Sequence, residues 1–464
     1  MAEPADSATI LEDVDEIIQT KYMKEYDEQY TRMENVTNKL FKPATEVATG
    51  DGITAQVEIA SSDSTRITNS ILSDFPSPDA FEPASVRLRL NQNTPSSNDF
   101  SRFASSAQVS DPDVQNAGRG AIVDLVKRIK DQVMPDFEEK LAIHRHIGRT
   151  AQIALVNGTP ESNNAISLAV STGTASNTNG LRVAIDNGSI AALKRGTRID
   201  FVDAATTTVL AGNVRVTDTN PSDLSIGVEF VSTGITARQS TGNLASVGDN
   251  DEIYISGEQD QGLYSFGAWF TRPALTGDSF IGGVDRQASV YRFMNTTATR
   301  EGSTTAPLTK SMFNDLAIAM GYKQTEEYGV VVMSDLNMHQ RIRDEIGEEA
   351  LNILPNTDSR LKRFAHFGTI GLVYQHPSFG VVQITADPLA VSNRILFIVP
   401  ETWRTYWAWR KGLQPISENG GHWYRMSQST PNTGKGLFWK ADWYGVLCDW
   451  CRKPWKNGQI LNVN

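Results

Sequence analysis

The sequence predicts an α+β protein built from several domains. Three observations carry that expectation: helical periodicity over 9–40 and 113–148, a period-two block over 181–257, and an alternation of helices and strands between 310 and 399. At 464 residues the chain is too long for one compact core, and 39% hydrophobic residues suffice for packed interiors. No apolar run of about 18 residues is present, so no membrane partner is expected. The acidic N-terminal stretch lacks the basic-then-apolar pattern of a signal peptide. Two cysteines in the whole chain fit a reducing compartment. A formal net charge of −11 argues against a surface that coats nucleic acid everywhere, while leaving room for a local basic face.

Residues 9–40 place Ile10, Leu11, Val14, Ile17, Ile18 and Tyr22 at helical spacing, and Pro43 closes the segment. From Thr45 to Pro112 the composition turns to Ser, Asp, Asn, Thr and Pro. Two short alternating runs interrupt it, one with Val57 and Ile59, the other with Val86, Leu88 and Leu90. They predict a two-stranded hairpin in a long arm that reaches another subunit. Over 113–148, Ile122, Leu125, Val126, Ile129, Val133, Phe137 and Leu141 form one apolar face, with Asp113 as N-cap and a bend expected at Pro135. The runs 198–202, 213–217, 224–230 and 252–256 predict four short strands in a small β-barrel or sandwich inserted between helical regions. Beyond it, a helix over 310–321 ended by Gly321, a strand over 328–333 and a helix over 336–346 precede strands at 371–375, 380–385 and 394–399. The C-terminal part is rich in tryptophan, which suits a core or interface, or a sugar-binding cleft.

Catalytic patterns are weak. Gly50, Gly52 and Ala55 match a G-x-G-x-x-A fingerprint, but a strand-like segment follows where the pyrophosphate needs a helix N-terminus, so a glycine turn is expected. No P-loop, nucleophile elbow or H-E-x-x-H run occurs. His144 and His146 are two apart on a helix and point in different directions, so they do not share a metal. Asp335 reads as a strand-end acid or as the N-cap of the next helix, a role for which Ser334 competes. Cys448 and Cys451 form a C-x-x-C on a strand, where residues three apart face opposite ways; one is expected packed and the other near an edge. No catalytic residue, cofactor-binding residue or metal ligand is therefore assigned, and no cofactor is expected. Lys127, Arg128, Lys130, Lys140, Arg145 and Arg149 lie on the polar sides of the long helix. They form either a solvated face balanced by neighbouring acids or a loose phosphate-contacting surface.

The order of these parts resembles the major capsid protein of tailed bacteriophages, whose fold is shared with encapsulins. The stretches that carry the resemblance are SMFNDLAIAMGYKQTEEYGVVVMSDLNMHQRIRDEIG, GLVYQHPSFGVVQITADPLAVSNRILFIVPETW, the ending CRKPWKNGQILNV, and LKRGTRIDFVD through VGDNDEIYISG for the insert. The resemblance implies an N-terminal helical arm over 1–44, an extended hairpin loop over 45–112, and a peripheral domain with its long spine helix over 113–180, continued over 261–325. It further implies an inserted β domain over 181–260, an axial domain over 326–436, and a closing peripheral strand over 437–464. Function would then be assembly, without enzymatic activity: a homo-oligomer of pentamers and hexamers forming an icosahedral shell around double-stranded genomic DNA. Scaffolding protein, portal and a decoration or cement protein would be the partners, and the virion capsid, after assembly in the bacterial host cytoplasm, the location. Lys127, Arg128, Lys130, Arg145 and Arg149 would face DNA, and Val57, Ile59, Val86, Leu88 and Leu90 would lie between subunits. Some family members cross-link through a loop lysine; this chain has only Arg66, Arg87, Arg89 and Arg102 between Pro43 and Pro112, so that link is not expected. No large N-terminal scaffolding segment is expected either, since the helical arm spans only about 40 residues. Two other readings compete: a tail or surface-decoration protein that binds a ligand through the insert, and a hydrolase with unpaired acids and an aromatic cleft.

Overall fold

A computed structural model describes residues 36–50, 52–57, 84–90, 99–110, 135–158, 161–162, 181–186, 188–220, 224–231, 239–270, 280–281, 284–286, 294–300, 304–320, 329–346, 372–376, 379–409, 411, 414–415, 423–427 and 437–463. Among the described residues the first elements are α1 (Val36–Leu40), β1 (Lys42–Ala48), β2 (Gly52–Val57), β3 (Ala84–Arg89) and β4 (Ser101–Ser110). Helix α2 (135–147) leads into β5 (Ala154–Val156), β6 (Glu161–Ser162) and β7 (Leu181–Asp186). Next come β8 (Arg198–Val202), β9 (Val209–Asn220), β10 (Ser225–Glu229), β11 (Thr241–Gly242) and β12 (Glu252–Ile255). Then follow α3 (Phe266–Phe270), β13 (Phe280–Ile281), β14 (Val284–Asp285), β15 (Thr297–Thr299), α4 (Lys310–Ala319), β16 (Val330–Ser334) and α5 (Leu336–Ile346). The last elements are β17 (Leu372–His376), β18 (Gly380–Ala386), β19 (Arg394–Ile398), β20 (Trp403–Ala408), β21 (Gln414–Pro415), β22 (Trp423–Ser427), β23 (Leu437–Cys451) and β24 (Gly458–Leu461).

Two compact units result, the first drawn from 1–53, 89–142 and 405–449, the second from 54–88, 143–404 and 450–464. In the first unit a six-stranded sheet is organised on β23, which pairs with β20, β21, β22 and β4, while β1 extends the sheet beyond β20. β4 runs antiparallel to β23 from Phe438↔Ser110 to Leu447↔Ser101. Phe137 of α2 meets Phe103 edge-on at 5.7 Å, and Asn38 Nδ2 donates to Glu138 O at 3.0 Å. Between β1 and β2 the chain turns at Gly50, whose φ of +61° favours glycine. Gly52 N donates back to Thr49 O at 3.3 Å. The G-x-G pair is thus a strand–turn–strand, as the sequence implied, and no helix follows it.

The second unit contains a closed ring of strands. β10, β7, β5, β12, β8 and β9 pair in that order, and β9 pairs again with β10. Alternation of buried and half-exposed positions along β8 and β9 fills the interior with Ile199, Phe201, Val214 and Val216, each fully buried. Closing so small a barrel needs a sharp bend, supplied by register shifts in the β8–β9 ladder between Ile199 and Phe201 and between Phe201 and Val202. Asn213, at φ +55°, occupies this irregularity, and its N–H donates to Asp200 Oδ1 at 2.6 Å. All four predicted strands are present, but the ring also needs β5 and β7. The ring of strands therefore reaches back to Ala154, ahead of the 181–257 block read from the sequence, because a four-stranded set would leave two open edges.

A six-stranded mixed sheet forms the rest of this unit, in the order β15-β24-β19-β16-β18-β17. β16 is parallel to β18 and antiparallel to β19. Val330, Val332, Ile384, Ile395, Phe397 and Ile460 pack in one cluster with Phe313 and Leu316 of α4 and Met338 and Ile342 of α5. β15 from the 261–325 segment pairs with β24 from the 437–464 segment, and β24 pairs in turn with β19 of the 326–436 segment, so the sheet is shared by three of the segments drawn from the sequence. β23, by contrast, belongs to the other sheet. The predicted hairpin exists at its base, where β2 pairs with β3.

Candidate functional site

The end of α2 gathers several buried polar side chains. Residues 141–148 are buried on every side, with Gly148 at φ +78° terminating the helix. His144 Nε2 lies 3.2 Å from Glu258 Oε2, on the turn after β12. His146 Nε2 lies 3.2 Å from Asp387 Oδ2, just after β18, with both side chains almost fully buried. The two histidines thus do point apart, each to its own carboxylate. Asp387 Oδ1 also accepts from Leu389 N at 2.9 Å. Arg394 Nη2 donates to His146 O at 3.2 Å, and burial lowers its guanidinium to about 10. Arg149 Nη1 donates to Gly262 O at 2.9 Å and its guanidinium sits 5.3 Å from the Tyr264 ring centre.

Arg145 is therefore not on an exposed face, being fully buried, while Arg149 is half-buried and engaged within its own subunit. The polar-side reading missed this because several elements crowd the helix end. Lys127, Arg128 and Lys130 lie outside the described residues. Val57, Val86, Leu88 and Leu90 are buried in their own chain, and Ile59 lies outside the described residues. Gln56 O accepts from Trp450 Nε1 at 3.0 Å, so the hairpin base is anchored to the subunit that carries it.

The other candidates resolve into structural roles. Asp335 Oδ1 accepts from Met338 N at 2.6 Å, the N-cap geometry for α5, and Ser334 does not take that role. Burial pushes the Asp335 carboxyl upward against the Met338 N–H, the Arg341 charge and the Asn337 N–H. Burial lowers His376, whose Nε2 is 3.1 Å from Asn314 Oδ1, and His339, where Arg343 adds to the effect. Neither cysteine forms a disulfide and both are buried, so the expectation of one near an edge is corrected. Cys451 Sγ sits against Thr402 and Asn457, and burial pushes its thiol to about 12, which disfavours the reactive thiolate at neutral pH. Among the described residues no cluster of three or more His, Cys, Asp or Glu could hold a metal, and no helix is long and apolar enough to cross a membrane.

Of the C-terminal tryptophans, Trp403, Trp407, Trp443 and Trp450 are buried in the core while Trp409 and Trp455 are half-buried; Trp269, earlier in the chain, is buried as well. Trp269 meets Trp450 at 5.2 Å and Trp403 at 6.2 Å, both edge-on. Sequence reading passed over buried Arg286, which donates to Ala268 O at 2.7 Å at the end of α3. It also passed over Gly262 and Gly267, where a Cβ would come within 1.9 Å of Gly148 O and 2.1 Å of Gly148 N. The two glycines bracketing the aromatic run LYSF were the available signal.

No family model matches the chain, and no curated protein matches it. Solved structures to which it is similar include the capsid asymmetric unit of cyanophage A-1(L), at 8% identity and TM-score 0.47, covering 93% of this chain and 93% of that one. A satellite phage P4 procapsid that includes the size determination protein matches at 8% identity and TM-score 0.33, over 95% and 99%. Mycobacterium phage Patience matches at 8% identity and TM-score 0.34, over 97% and 88%.

Proposed function

We propose that this chain is the structural subunit of a tailed-phage capsid, assembling through pentamers and hexamers into an icosahedral shell around double-stranded DNA. The observation that carries the reading is the order of parts. A hairpin (β2–β3) precedes a helix (α2), a small closed barrel follows, then a mixed sheet flanked by helices, and a 15-residue strand (β23) returns near the end. That order supports the reading, and it suits a subunit with many modest heterologous contacts that close around a ring. The role is structural rather than enzymatic, and its place is the virion capsid after assembly in the host cytoplasm.

Within this reading the hairpin base is an anchor, and the segment between Val57 and Ala84 is the part that reaches a neighbour, with Ile59 as its first apolar contact. Lys127, Arg128 and Lys130 remain the DNA-facing set, acting by sequence-independent phosphate contact. Scaffolding protein, portal and a decoration or cement protein complete the partners. Electron microscopy with light scattering on the purified full-length chain tests assembly. Rings or shells are expected, and a strict monomer at high concentration would sink the proposal.

A further inference from the structure

We infer that the end of α2 is an interlock that makes the β-barrel and the six-stranded mixed sheet open as one cooperative body. His144 and His146 lie about 200° apart around the helix axis, so their side chains leave in nearly opposite directions. One reaches Glu258 at the barrel's exit turn and the other reaches Asp387 at the end of β18, each at 3.2 Å. Backbone ties reinforce the barrel side: Gly262 N donates to Arg149 O at 2.9 Å and Asp260 N to Thr150 O at 3.0 Å. On the sheet side, Arg394 holds the His146 carbonyl from β19. A direct tie also links the two regions, Ser392 N to Gly188 O at 3.2 Å.

A module strung on two loops would need none of this. Burying the His146–Asp387 pair removes two ionisable groups from water, which rarely repays itself as stability; its better-attested use is to fix one geometry among alternatives. Here it fixes the helix end against the sheet while His144 fixes the same turn against the barrel. The inference does not depend on the capsid reading, because it concerns the opening of a single subunit.

Native-state hydrogen exchange across a denaturant series, on the full-length wild-type chain, tests it. The slowest amides of β8 and β9 and those of β16 and β19 should converge on one opening isotherm. A barrel that exchanges through its own opening at lower denaturant would overturn the inference. Glu258→Gln, at a partly exposed position, supplies a second measurement. It should raise the opening constants of barrel and sheet amides by the same factor, and an effect confined to the barrel would count against the interlock.

Discussion

At the residue scale, Asp335 shows how one carboxyl serves two opposed demands. Its cap bond favours the ionised form, yet burial wins and raises the group above its ordinary 3.8. The native state therefore holds that proton more tightly than the unfolded chain. Its contribution to stability is full below about pH 3.8 and is lost as pH rises through the higher folded value. Asp335→Asn keeps a capping side chain without the charge, so denaturation midpoints measured between pH 3 and 7 should lose this slope. Asp335→Ala removes the cap and should cost about 1 kcal/mol. The cap was legible from a strand–Asp–helix pattern. Burial of Arg145 was not, because helical periodicity reports which face is apolar and is silent about how many elements close over a helix end.

At the element scale, α3 approaches the end of α2 through glycine. A Cβ on Gly267 would lie 2.1 Å from Gly148 N, 2.5 Å from His146 O and 2.6 Å from Ile147 C. These are backbone atoms, so no rotamer change relieves the clash. Gly267→Ala should destabilise by about 1–3 kcal/mol and shift the fluorescence of the neighbouring Trp269. Gly248→Ala, where the nearest atom is Asp251 Oδ2 at 3.8 Å, is the control and should be near neutral. Strands with strict alternation were readable in advance, β8 and β10 among them. β5 was not, because three residues a short turn after a helix carry no period of their own. Ring closure, a property of pairing, assigned it to the barrel.

On the scale of the whole molecule, the proposed DNA contact now rests on three cations rather than five. Replacing Lys127, Arg128 and Lys130 with Gln should weaken DNA retention at low salt. The log-affinity slope against log salt should shrink by about 0.9 for each phosphate that is no longer neutralised. The α+β class was readable from periodicity and composition. Which segment joined which sheet was not, since β24 and β15 are parallel partners from opposite sides of the mixed sheet's sequence. Strand pairing over long separations leaves no local trace. The same separation acts during synthesis. β4 leaves the ribosome about 330 residues before the strand that covers it, an interval of roughly 15–65 s at usual elongation speeds. For that time a ten-residue edge is without its β23 partner. The nascent chain should therefore be the stage at which this protein most needs a chaperone, and its yield should fall more steeply with temperature than the stability of the finished subunit.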